Sequence, residues 1–137
     1  MDQKDEILDK LDALGYPDNE VVLTLDEFFE NNDNHDSIGV NIVHNKPSPQ
    51  EFYEVFKHIT EYPEVDAIYV RIADAEFPQE WFFSDTVYIV GELDVDRIKD
   101  ITELLYPDEV ETGWMYGVPI NIPKTLAGKR VVSVWWD

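Results

Sequence analysis

A chain of 137 residues with 30 acidic and 10 basic side chains has a formal net charge of −20, a field that repels nucleic acid and anionic membranes and attracts basic proteins or cations. At this length folding buries roughly 70% of the surface exposed by the unfolded chain, enough for one core. The lack of cysteine excludes disulfide frameworks, thiolate metal sites and thiol nucleophiles.

Hydrophobic residues make up 44% of the chain, more than a disordered chain of such charge would carry, so one globular domain spanning 1–137 is expected. The N-terminal stretch MDQKDEILDKLDAL has scattered charges and no apolar h-region, and no run approaches the roughly 18 apolar residues of a membrane span. A cytoplasmic protein is expected.

In chain order, Ile7, Leu8, Leu11 and Leu14 recur at helical spacing over Asp5 to Leu14, with Gly15 and Pro17 as a stop. Val21 to Leu23 is a short apolar run that fits a strand. Thr24 and Glu27 then form a capping-box pattern, which predicts a short helix with Leu25, Phe28 and Phe29 inward. The helix dissolves into the polar loop Asn31 to Asp36.

Ser37 to Val43 alternates Ile38, Val40 and Ile42 with Gly39 and Asn41, a strand period. Ser48, Pro49 and Glu51 give a second capping box with proline at the first helical position. The stripe of the helix that follows is Phe52, Val55, Phe56 and Ile59, and Pro63 stops it. Val65 to Ala73 is the next predicted strand. Strand, helix, strand in this order implies a right-handed crossover and a parallel pair. Arg71, the only base on that strand, is expected to reach an acid or the sheet's rim.

After a turn around Pro78 and the aromatics Trp81, Phe82 and Phe83, Thr86 to Glu92 is apolar on both faces, as an interior strand requires. Asp94 caps a helix with the stripe Val95, Ile98, Ile101, Leu104 and Leu105, ended by Pro107. Asp108 to Thr112 fits a short strand, Gly113 to Pro123 reads as loop, and Val131 to Trp136 alternates as a final strand. The predicted fold class is α/β in the α+β sense: a mixed β-sheet of about five strands with about four amphipathic helices packed on it.

Chemistry-bearing patterns are sparse. His35, His44 and His58 fall in no metalloprotease spacing, the serines lie in no G-x-S-x-G context, and the glycines form no phosphate-cradling cluster. The Asn31 to Asp36 loop lacks the glycine and glutamate of a calcium-binding EF-hand. No catalytic residue, metal site or cofactor is therefore assigned. Carboxylates are so abundant that pairing two of them marks nothing.

The distribution of charge says more. No Lys or Arg lies between Lys10 and Lys46, where Asp33 and Asp36 fall, nor between Arg71 and Arg97, where Glu76, Glu80 and Asp85 surround Trp81. Acids unrelieved by bases, with an aromatic anchor among them, are what a surface that captures a basic partner needs. The expected partner-binding residues are Asp33, Asp36, Glu76, Glu80, Trp81 and Asp85, with Trp114, in a glycine-flanked loop, expected to be exposed. The plain alternative is a surface charged for solubility.

In size, charge and the segments LDEFFENND, SIGVNIV, FSDTVYIVGEL and VVSVWWD, the chain resembles small acidic immunity proteins of bacterial toxin systems. That resemblance implies a non-catalytic intracellular protein that occludes a basic toxin domain, and it transfers no site residue. Competing expectations are a small carboxylate-based enzyme and an accessory module docking a basic patch on a larger assembly. No nucleic-acid or membrane partner is expected, and nothing in the pattern fixes strand order or oligomeric state.

Overall fold

The computed structural model describes residues 3–75 and 81–137. Helix α1 (Gln3–Ala13) leads through Gly15, whose φ of +82° suits glycine, to β1 (Val22–Thr24) and α2 (Leu25–Phe29). Helix α3 (Pro49–Thr60), β2 (Val65–Arg71), β3 (Thr86–Gly91) and α4 (Val95–Ile101) follow. A 3-10 turn (Glu103–Leu105), β4 (Glu109–Thr112), α5 (Lys124–Ala127) and β5 (Val131–Trp135) complete the order.

Both predicted capping boxes form: Thr24 and Glu27 exchange side-chain and backbone bonds at α2, and Ser48 and Glu51 do so at α3, with Pro49 at its start. Each satisfies two backbone donors that a helix start otherwise leaves open. These caps fix where α2 and α3 begin, and hence which side chains they turn inward.

The strands make one five-stranded sheet in the order β1-β2-β3-β5-β4, with every neighbouring pair antiparallel. The expected parallel pair does not form, because Ser37 to Val43 is not a strand but a series of turns. Gly39 takes φ +67°, and a Cβ there would stand 2.9 Å from Ile42 Cδ1 and 3.0 Å from Phe52 Cζ. With the chain folded back at Gly39, Ile38 is buried, Ile42 is half-buried, and Val40 and Val43 face solvent. The alternation was that of a tight turn series, which shares the two-residue period over a short stretch.

The helical face of the sheet holds the main core. Phe28 and Phe29 of α2, Phe52, Phe56 and Ile59 of α3, and Ile98 of α4 pack with Val70, Val87, Ile89, Val132 and Val134. Trp136 lies among them, edge-on to Phe52 and Phe56, and donates its indole N–H to Leu105 O at 2.8 Å. Each such aromatic or aliphatic side chain contributes about 1.5–3 kcal/mol on burial. The opposite face carries a smaller cluster, Val22, Tyr88, Val90, Val131 and Ile122, covered by residues of the segment 114–127. All six residues of β3 are buried, as its two apolar faces predict.

One residue of the predicted α4 stripe faces solvent. Leu104 is 74% exposed while Leu105 is buried, because the last turn tightens to 3-10 geometry and so leaves the 3.6-residue phase of α4. Tyr106 follows it in the left-handed region at φ 54°.

The two edges of the sheet are finished differently. At β1 the bond from Ile72 N–H to Val21 O sets the phase, so the backbone N–H and C=O groups of Val22 and Thr24 point away from β2. Asn121 then closes that edge, accepting from Val22 N–H at 3.0 Å and donating to Val22 O at 2.8 Å, while Thr24 N–H is taken by Glu27. At β4 the bond from Gly113 N–H to Val131 O turns the amides of Glu109 and Glu111 toward β5. Those of Val110 and Thr112 therefore point away from the sheet, and among the described residues nothing pairs with them.

Candidate functional site

The structure divides the predicted partner-binding residues. Asp33 and Asp36 are exposed on the loop after α2, and Asp36 lies 3.5 Å from Lys46. Buried Asn32 holds this loop: its side chain donates to Ser37 Oγ and accepts from Asn34 N–H, and its carbonyl accepts from Gln50. The loop is tied to the aromatic shoulder by the bond from Ser84 N–H to Ser37 O at 2.7 Å. Trp81 belongs to that shoulder and is half-buried, donating its indole N–H to Phe28 O at 2.6 Å. Trp81 thus braces α2, and Asp33, Asp36 and Trp81 occupy neighbouring segments. Glu76, Glu80 and the turn at Pro78 lie outside the described residues.

Asp85 and Trp114 sit elsewhere, on the face away from the helices. Arg71, reached from β2 as the sequence predicts, donates Nε–H to Glu20 Oε1 at 2.6 Å and Nη1–H to Asp85 Oδ1 at 3.0 Å. The Tyr116 ring lies over the guanidinium at 3.6 Å, and its hydroxyl donates to Asp85 Oδ2 at 3.2 Å. Burial alone would lower the Arg71 pKa, but the hydrogen bond to Glu20 and the charge of Asp85 outweigh it, and the pKa rises. The cation is fully engaged, so this network fastens the segment around Tyr116 onto the sheet. Trp114 is half-buried, edge-on to Tyr88 at 4.9 Å.

Two polar atoms of this face are buried without a hydrogen bond of good geometry among the described residues: the Tyr88 hydroxyl, whose neighbour is the Tyr116 backbone, and the Trp135 indole nitrogen, whose neighbour is the Tyr116 side chain. Burial pushes the Tyr88 pKa up, against a smaller opposing pull from the Tyr116 backbone.

On the helical side, Tyr53 donates its hydroxyl to Asp26, which also lies 3.1 Å from Lys57. The hydrogen bond to Tyr53, then that to Lys57, lowers the Asp26 pKa, and the same bond to Asp26 raises Tyr53 to about 12.

At least five of the ten bases are in ion pairs, Arg71 among them. Lys10 meets Glu27 at 2.8 Å, Lys57 meets Asp26, Lys46 meets Asp36 and Lys129 meets Asp66 at 3.2 Å. The exposed carboxylates continue well beyond those pairs: Glu6, Asp9 and Asp12 on α1, Asp94, Asp96, Asp100 and Glu103 along α4 and the turn after it, then Glu109 and Glu111 on β4.

Glu109 and Glu111 form a part of the surface that sequence reasoning missed. The two side chains share one face of the open edge strand, close enough that a hydrogen bond to Glu111, and then its charge, raises the Glu109 pKa. Beside them a groove of about 400 Å³ runs between Lys99 and Glu103 on one wall and Glu109 and Val110 on the other, with Tyr106 and Pro107 in its lining. A signal for it exists in the sequence, since residues 100–123 form a third base-free span. Among the described residues no group of three or more His, Asp or Glu is placed to hold a metal ion, and no helix is long and apolar enough to cross a membrane.

No solved structure matches this chain. An Escherichia coli (strain K12) protein named "Uncharacterized protein YfbO" is 29% identical to it over 117 residues, covering 85% of this chain and 82% of that protein. The family model described as "Uncharacterized protein YfbO family" matches residues 2–134, and the chain belongs to that family.

Proposed function

We propose that this protein is an acidic binding domain for a basic protein partner, acting as an inhibitor or immunity protein that occludes the partner rather than by catalysis. The observation that supports it is the surplus of exposed carboxylates on α1, along α4 and on β4, set against ten bases of which at least five are already in ion pairs. Carboxylates so placed steer a basic partner into encounter and reject acidic ones. The bracing Trp81 belongs to the scaffold on the helical side, with Asp33 and Asp36 exposed beside it, while Asp85 is held by Arg71 on the other face.

The test is affinity capture on the immobilised protein from extract of the source cells, at low and at raised salt. The reading predicts a basic protein retained in stoichiometric amount at low salt, released as salt rises, and inhibited by the purified domain in proportion to the complex formed. Recovery of no basic protein at low salt overturns it and leaves solubility as the reason for the charge.

A further inference from the structure

We propose that the open edge of β4 is the docking site, and that an extended segment of the basic partner adds to the sheet there as a strand with alternating basic and apolar side chains. The proposal rests on the partner being basic and names where and how that partner binds.

The backbone supplies the first argument. Exposed edges are templates for another strand, and folded proteins usually close them. Here β1 is closed by Asn121 and Glu27, whereas β4 keeps the outward amides and carbonyls of Val110 and Thr112 unpaired among the described residues. Strand addition satisfies such groups with main-chain bonds, and side chains on alternate positions supply the specificity.

Charge supplies the second. Glu109 and Glu111 stand two residues apart on one face of the strand, with Val110 between them turned into the core. A strand laid along the edge places every second side chain beside those carboxylates. A lysine or arginine there relieves the repulsion between the two neighbouring carboxylates. A second copy of this chain brings glutamate against glutamate, which opposes self-pairing.

Shape supplies the third. The other side chains of an added strand turn toward the groove lined by Tyr106, Pro107 and Val110, where Tyr106 is 44% exposed. Tyr106 holds a left-handed φ of 54° that bulky residues seldom adopt, and this presents the ring beside the edge. Apolar side chains suit that wall, and Lys99 shares the groove with the acids Glu103 and Asp108.

The probe is a short alternating lysine–valine peptide, titrated at low salt into the protein labelled for amide NMR. A second peptide of the same sequence carries N-methyl groups on alternate amides, which keep its charge but remove its strand-pairing donors. The expected result is binding of the first peptide with shifts centred on the Val110 and Thr112 amides, and about tenfold or greater loss of affinity for the methylated one. Glu109→Gln with Glu111→Gln, both exposed and harmless to the fold by circular dichroism, weakens the first peptide and flattens its salt dependence.

Equal affinity for both peptides overturns edge pairing while leaving a basic partner in place, and so do shifts confined to α1 or α4. Binding of neither peptide also overturns it. Dimerisation with Val110 and Thr112 amides protected overturns it in favour of a second copy as the occupant. Failure to capture any basic protein from extract, by contrast, removes the reading on which the docking site depends.

Discussion

Replacing Arg71 with methionine keeps most of the side chain's bulk and removes its charge, which isolates the role of the Glu20–Arg71–Asp85 network. The Arg71 side chain is 14% exposed, Asp85 20% and Glu20 31%. Stranding a partner of a fully buried pair costs about 3–5 kcal/mol. Water reaches both carboxylates here, so the expected loss for R71M is about 2–4 kcal/mol. With a urea slope of about 2 kcal/mol per M, the middle of the range for a small protein, the unfolding midpoint falls by about 1–2 M. Neutralising the stranded acids in the same background, with Glu20→Gln and Asp85→Asn, recovers a good part of the loss, because the cost lies in unpaired charge more than in missing contacts. A midpoint for R71M within about 0.3 M of wild type, or no recovery on neutralisation, refutes the reasoning.

Tyr88→Phe removes a buried hydroxyl that makes no hydrogen bond of good geometry and leaves stability unchanged or raised by about 1 kcal/mol; a clear loss in urea unfolding means that the hydroxyl is satisfied after all, by the Tyr116 backbone or by a bound group. Gly91→Ala sets a Cβ 2.1 Å from Glu64 O at φ +145° and costs more than about 2 kcal/mol. Gly128→Ala, with nothing within 4 Å, is neutral or stabilising by up to about 1 kcal/mol, and comparable losses at the two sites contradict this account. Asp26→Asn returns the Tyr53 pKa from about 12 toward its ordinary 10.0, read by NMR of labelled tyrosine ring carbons. Because the folded-state value is raised, the stability carried by that hydrogen bond is fully present below pH 10 and is lost as pH rises through about 12; a Tyr53 that titrates normally in the wild type removes the basis for it.

Sequence carried the local structure a long way because local chemistry decided it. Thr24 with Glu27, and Ser48 with Pro49 and Glu51, cap the helices they announce. The doubly apolar run from Thr86 to Gly91 is the middle strand of the sheet, and Arg71 meets carboxylates as a lone base on a strand must. The α+β class with a five-stranded sheet follows from those elements.

What misled was a short period. Ile38, Val40 and Ile42 alternate as a strand does, but the left-handed turn at Gly39 decides the path, and with it the antiparallel sheet in place of a parallel pair. Leu104 was placed inward by a helical count that the 3-10 turn interrupts. The surface was harder still, because exposure depends on which segments cover which face. The sequence neighbours of Trp114 and Asp85 point to outward-looking side chains, yet Trp114 packs against Tyr88 and Asp85 holds Arg71. Glu109 and Glu111 gain their meaning from strand order alone, since only the order leaves β4 at an edge.

The claim that matters most is that this acidic surface exists to meet a basic protein. The measurement that tests it most directly is the association rate constant between the purified domain and the partner captured at low salt, followed as ionic strength rises. Steered encounter predicts a fast rate at low salt that falls steeply as the screening length shrinks to about 8 Å at physiological ionic strength, with dissociation changing far less. A rate that is slow at low salt and indifferent to ionic strength contradicts the account.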